Sequence, residues 1–194
     1  MSREVEKALA AVQDMERRHG KRHPETLNAM AALGHAYVTA GYLPDARSVQ
    51  QSVLAIREET NGDGDYGTIK AANDLANTLW HLGDLQPARD LQERNLLNVE
   101  GRYGADTEVT ITVRQNLARI LYDLGDFSRS EEIQLQIIES LRKLYGYEDP
   151  RTVRALAGLA HTEYALGDYK TSIPLHLRAI KGMVSGRLRR SSKR

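Results

Sequence analysis

Cysteine is absent from the 194 residues, which removes both a disulfide framework and any thiolate metal site and fits a reducing compartment. No stretch approaches the roughly 18 uninterrupted apolar residues that a bilayer-spanning helix needs. The opening Met1-Ser2-Arg3-Glu4 carries no apolar signal region, so a cytoplasmic location with no membrane partner is expected. Charge of one sign is also missing. The net charge is +1, yet Arg187, Arg189, Arg190, Lys193 and Arg194 place five positive charges at the end, which leaves the body near −4. A roughly neutral body, and a basic tail without interleaved aromatics, speak against specific nucleic-acid recognition.

What is present is a period. Gly41, Gly83, Gly125 and Gly167 lie 42 residues apart, and Gly20, Gly62, Gly104 and Gly146 keep the same spacing. Two glycine ladders in one register predict a single structural unit repeated about four times, the mark of a solenoid. Leu33, Leu75, Leu117 and Leu159 recur at one position, with Leu27, Ile69, Ile111 and Val153 six residues earlier. This is one apolar helical face. Val49, Leu91, Ile133 and Leu175 form a second ladder, extended by residues such as Val53, Val99, Ile137 and Leu141.

The punctuation predicts first helices over 24–40, 66–82, 108–124 and 150–166 and second helices over 43–60, 85–102, 127–144 and 169–185. Of the four residues that precede the first helices, Asp65, Thr107 and Asp149 are preferred N-caps and His23 is not; Pro24 and Pro150 follow at the favoured next position. Glycine after Ala40, Leu82, Leu124 and Leu166 supplies a left-handed stop. Ala46, Ala88, Ser130 and Ser172 let the paired helices approach closely. Residues 3–19 align with a second helix alone, so Val5, Leu9, Val12 and Met15 are expected to face an uncovered side. That edge implies either a segment of a longer array or a homodimer through residues 3–19. Pro174 is expected to bend the last helix or delay its start.

The run Leu33-Gly34-His35-Ala36-Tyr37, then Gly41, then Ala46, resembles the tetratricopeptide signature on a unit longer than the usual length of about 34 residues. His-Pro-Glu-Thr-Leu at 23–27 and Leu-Ala-Ile-Arg-Glu at 54–58 make it similar to the kinesin-light-chain type of that repeat. The resemblance implies an all-α, right-handed superhelix (α-solenoid) of antiparallel helix pairs, forming one array over residues 1–186. Its parts would be the partial unit 3–19, four repeats at 23–64, 65–106, 107–148 and 149–186, and a basic, disordered tail at 187–194.

In such arrays the first helices line a concave face. Counting back from the glycine ladder places His35, Asn77, Arg119 and His161 there, with Trp80 and Tyr122, His81, Asn28, Lys70 and Arg154, and Asn73 and Asn116. The expected mechanism is capture of an extended peptide. Amides at Asn77 and Asn116 would bond its backbone, Lys70, Arg119 and Arg154 would meet acidic groups, and Trp80 and Tyr122 would pack an apolar side chain. The carboxylate clamp of chaperone-binding relatives is not expected, because Asn73 and Gly158 stand where lysine and arginine are required.

Other signals are weaker. Asn61-Gly62-Asp63-Gly64-Asp65 alternates oxygen ligands like a calcium loop, but Tyr66 and Ala72 hold its glycine and closing-acid positions. Gly62 and Gly67 are spaced like a phosphate loop, but Thr68 stands where lysine is needed. His35, His81, His161 and Asp123 belong to different repeats and show no helical zinc spacing. No metal, no cofactor and no catalysis are therefore expected. The function read from the chain is a non-catalytic protein or peptide interaction module, a scaffold. The alternative is a ligand-sensing regulatory domain of a larger signalling protein that changes shape or oligomeric state on peptide binding.

Overall fold

The computed structural model describes residues 2–191, with side chains through Lys181, and every element among them is helical. In order these are α1 (Arg3–His19), α2 (Pro24–Thr39), α3 (Leu43–Asn61), α4 (Tyr66–Leu82), α5 (Leu85–Tyr103), α6 (Glu108–Asp123), α7 (Phe127–Tyr145), α8 (Pro150–Ala165) and α9 (Tyr169–Ser191). The first helices fall within a residue of their expected bounds. Helix α9 starts at Tyr169 with Pro174 inside it, so the proline does not delay the helix. Asp168 holds that start by accepting the Thr171 amide at 3.1 Å. The backbone of α9 continues to Ser191; residues 192–194 of the expected tail, and its side chains, lie outside the described residues.

The chain divides into two compact units after Gly101. In the first, α1 packs on α2, α2 on α3 and α3 on α4. Helix α5 is tied to α4 where Asn95 Nδ2 donates to the Ile69 carbonyl at 3.1 Å. Val5 and Val12 of α1 are buried. Part of the apolar edge expected to be uncovered is thus closed within this unit, because α2 lies across it. In the second unit α6 packs on α7, α7 on α8 and α8 on α9, with Ile111, Ala118, Ile137 and Leu141 as a core cluster. The ladder leucines at 33, 75, 117 and 159 are all buried.

The glycine ladders differ in what they require. Gly83 sits at φ 81°, ψ 4°, the left-handed stop, whereas Gly62 sits at φ 80°, ψ 165°, a region essentially closed to side chains. All eight ladder glycines have positive φ, and no other described residue does. Where the first helices begin, His23 caps after all: its Nδ1 accepts the Glu25 amide at 3.3 Å, since a neutral imidazole keeps one lone pair. The close-approach positions Ala46, Ala88, Ser130 and Ser172 are completely buried. Ser130 and Ser172 each donate to a carbonyl twelve residues back, at Ala118 (2.9 Å) and Ala160 (2.8 Å).

One ladder went unread in the sequence. Thr26, Thr68, Thr110 and Thr152 are all buried one turn into the first helices. Three of them donate to the ladder glycine six residues back, Thr26 to Gly20 (2.8 Å), Thr110 to Gly104 (2.7 Å) and Thr152 to Gly146 (2.9 Å). Each such bond ties a helix start to the turn before it.

Candidate functional site

The second unit contains a cavity of about 300 Å³, walled by Arg119 and Tyr122 of α6 and by Arg154 and His161 of α8, over Gln134 and Ile137 of α7. Repeat geometry explains the convergence. Arg119 and His161 occupy one repeat position on successive first helices, and the helix between those two runs behind them. Gly158 also lines the cavity, and a Cβ placed on it would meet no atom within 4 Å. The position where a chaperone clamp needs arginine is here open space.

The walls are cationic and the floor is apolar with one amide. Burial pushes the Arg119 guanidinium below its usual pKa, opposed by the charge of Asp123. An arginine so far withdrawn from water gains more from an anion than an exposed one does. Its Nη2 donates to Asn116 Oδ1 at 3.4 Å, which places Asn116 beside the cavity. Arg154 is exposed at the opposite wall. His161 Nδ1 lies 2.7 Å from the Ala157 carbonyl, which requires the proton on Nδ1. Its ring meets His176 edge-on at 4.9 Å. Tyr122 is held edge-on to Phe127 at 5.1 Å. Gln134 Nε2 donates to Thr162 Oγ1 at 2.9 Å and to Ser130 Oγ at 3.3 Å, while its buried Oε1 has no partner.

The first unit holds the other seven expected residues on α2 and α4, and several are engaged with their neighbours. Asn28 Oδ1 accepts from Arg57 Nη2 at 2.8 Å, and Asn73 Oδ1 accepts from Gln92 Nε2 at 2.9 Å. His35 Nε2 lies 3.1 Å from Asp74 Oδ2. That bond raises the His35 pKa, against opposing contributions from burial and from Lys70. Trp80 and His81 stack edge to face at 4.6 Å. Asn77 is half-buried, and Lys70 is exposed. The second aspartate of the calcium-like loop is a cap: Asp65 Oδ2 accepts the Gly67 and Thr68 amides at 2.8 and 3.3 Å.

Of the twelve expected residues, Arg119, Tyr122, Arg154 and His161 meet around one cavity, and Asn116 adjoins it. Gln134 was missed. Its signal is periodic, since Gln50, Gln92, Gln134 and His176 are spaced by 42. The first two are buried, and the last touches His161. An amide repeated on the inner side of second helices, where an aliphatic residue would pack more cheaply, marks a polar layer beneath the first-helix face.

Two descriptions of the tetratricopeptide repeat match the sequence, one over residues 67–143 and 109–183 and another over 26–65. No curated protein matches. Among solved structures, a mutant kinesin light chain from Podosopora anserina with nearly identical TPR-like repeats superposes with a TM-score of 0.86 at 20% identity, covering 94% of this chain and 86% of that one. BtubC (BKLC) from P. vanneervenii gives 0.78 at 16% identity, covering 95% and 91%. YrrB, described as a TPR protein with an unusual peptide-binding site, gives 0.66 at 16% identity, covering 98% and 84%. These likenesses establish an all-α helical-repeat solenoid.

Proposed function

The chain belongs to the tetratricopeptide repeat family, and from that premise we propose that it is a non-catalytic interaction module that holds an extended peptide segment bearing an acidic group at the 300 Å³ cavity of its second unit. The observation that carries this reading is the pairing of Arg119 and Arg154 on opposite walls above an Ile137 floor. Arg119 and Arg154 meet a carboxylate through charge-assisted bonds. The apolar side chain of the segment occupies the space beside Gly158. Asn28, His35, Lys70, Asn73, Asn77, Trp80 and His81 are proposed as contacts of the α2 and α4 face. The proposed setting is the cytoplasm and the proposed partner a protein or peptide; among the described residues no helix is long and apolar enough to cross a membrane.

The test uses Gly158→Leu. Nothing lies within 4 Å of the added Cβ, and removing a helical glycine gains roughly 0.5–1 kcal/mol, so the variant keeps its fold while its side chain fills the cavity. Peptides selected from a random display library on the wild-type chain should lose binding to Gly158→Leu. They should also weaken more than about tenfold with Arg119→Gln, the equivalent of one charge-assisted hydrogen bond. Selected peptides that bind all three proteins alike would place the site elsewhere. Small-angle scattering of the complex separates the two modes: an unchanged radius of gyration supports the scaffold, and a changed one the sensor.

A further inference from the structure

The turn between α1 and α2 gathers three ligating side chains that the repeat framework does not ask for. His19 is the last residue of α1, His23 caps α2 and Glu25 lies in its first turn. Their ligand atoms lie within 4.8 Å of one another. The imidazole rings stack at 4.6 Å with planes 21° apart, and His19 Nε2 is already 3.3 Å from Glu25 Oε2. Adjacent ligands of a tetrahedral ion with bonds near 2.1 Å are separated by about 3.4 Å, which the His19–Glu25 pair already meets, so the change needed is in His23, whose ring has to turn out of the stack and approach.

The chain supplies its own control. At the same three repeat positions the later turns carry Asn61, Asp65 and Gly67, then Tyr103, Thr107 and Val109, then Tyr145, Asp149 and Arg151. All four turns keep the positive-φ glycine, so histidine, histidine and glutamate are not needed to make this turn. The turn is also held in place: Thr26 Oγ1 donates to the Gly20 carbonyl at 2.8 Å, and Arg22 is paired with Glu59 at 2.6 Å instead of facing the cluster.

We propose that His19, His23 and Glu25 form a binding site for a divalent transition-metal ion of the zinc class, which fastens the end of α1 to the start of α2. Two imidazoles and one carboxylate suit zinc, nickel or copper, whereas calcium and magnesium demand oxygen shells that this turn does not offer. Three protein ligands leave one position for water. The His23 lone pair that would bind the ion now takes the Glu25 amide through a bond of 3.3 Å, which is long for a cap and is exchanged for the metal bond.

The test is a calorimetric titration of the full chain with Zn²⁺, with Mg²⁺ and Ca²⁺ as controls. One Zn²⁺ per chain is expected, with no response to the controls and a higher melting temperature in Zn²⁺. His23→Asn keeps a strong N-cap and should fold normally, yet lose more than about tenfold in affinity, at least what loss of a supporting residue around a metal costs. His19→Ala should do the same, and His81→Ala should bind as the wild type does. Absence of Zn²⁺ binding, a stoichiometry of one ion per two chains, or wild-type affinity in His23→Asn would overturn the site.

Discussion

The threonine ladder allows one substitution to be made twice with opposite results. Thr110 and Thr68 occupy the same repeat position, and both are buried. Thr110 Oγ1 bonds the Gly104 carbonyl at 2.7 Å and shares a second hydrogen bond with Thr107 Oγ1 at 2.8 Å. Thr68 Oγ1 is buried with no partner. Valine replaces the hydroxyl with a methyl of nearly equal size and keeps the β-branch, so helix propensity and packing change little. In Thr110→Val two bonds worth about 0.5–1.5 kcal/mol each are lost. Gly104 lies at an exposed turn, where water can reach its carbonyl, so a total near 1–2 kcal/mol is expected. In Thr68→Val no bond is lost, and an unsatisfied hydroxyl that costs roughly 1–3 kcal/mol to bury is removed. That variant should match the wild type or exceed it by about 1 kcal/mol.

Urea unfolding followed by circular dichroism measures both. Helical repeats can unfold in parts, so amide exchange at the start of α4 and of α6 should accompany it. The α6 amides should lose protection in Thr110→Val, and those of α4 should not in Thr68→Val. Equal destabilisation by the two substitutions would refute the reasoning, because shape would then matter and hydrogen bonding would not.

Asparagine at the two kinds of ladder glycine should separate them. Gly83→Asn places a residue that tolerates the left-handed region at φ 81°, ψ 4° with open space at its Cβ, and should cost little. Gly62→Asn meets equally open space at φ 80°, ψ 165° and should lose roughly 1–3 kcal/mol from backbone strain alone, read as a fall in melting temperature. The third prediction concerns Glu163, which is 6% exposed. Its pKa is raised by burial first, and then by the neighbouring carboxylates Glu131 and Asp168 and a hydrogen bond with Glu131. A raised folded value means that the fold holds a proton which the unfolded chain releases, so stability is full below the unfolded pKa and falls as pH rises through the folded one. Glu163→Gln keeps a donor to Glu131 without the charge. It should be more stable than the wild type at pH 7, with a gain that disappears on acidification. A gain independent of pH would assign it to packing.

How much of this could be read in advance follows from what repeats make visible. A periodic feature is an alignment of the chain with itself, so whatever every unit needs appears as a column: the glycines at 41, 83, 125 and 167, the leucines at 33, 75, 117 and 159, and the caps. These predicted the helix boundaries to within a residue, save the end of α9, expected at 185 and found at Ser191. The threonine and glutamine columns were equally periodic but went unread, because their partners are a glycine carbonyl six residues back and side chains on other helices such as Asn73 and Thr162. A side-chain bond across helices has no period of its own. The proposed site belongs to the opposite category. The cavity arises where columns break: Gly158 falls in the column that holds Ala32 and Asn116, and Arg119 in the one that holds His35, Asn77 and His161. The units at 107–148 and 149–186 each carry one of these departures, and whether a departure is idle or opens a cavity depends on which helices face it. Arg119 and Asn28 illustrate the point, since both were chosen from the sequence by the same register argument. One lies at a cavity wall, bonded to Asn116 at 3.4 Å, and the other is bonded to Arg57 at 2.8 Å. Register places a side chain on a face, but only the packed structure decides which of those side chains gather around a cavity.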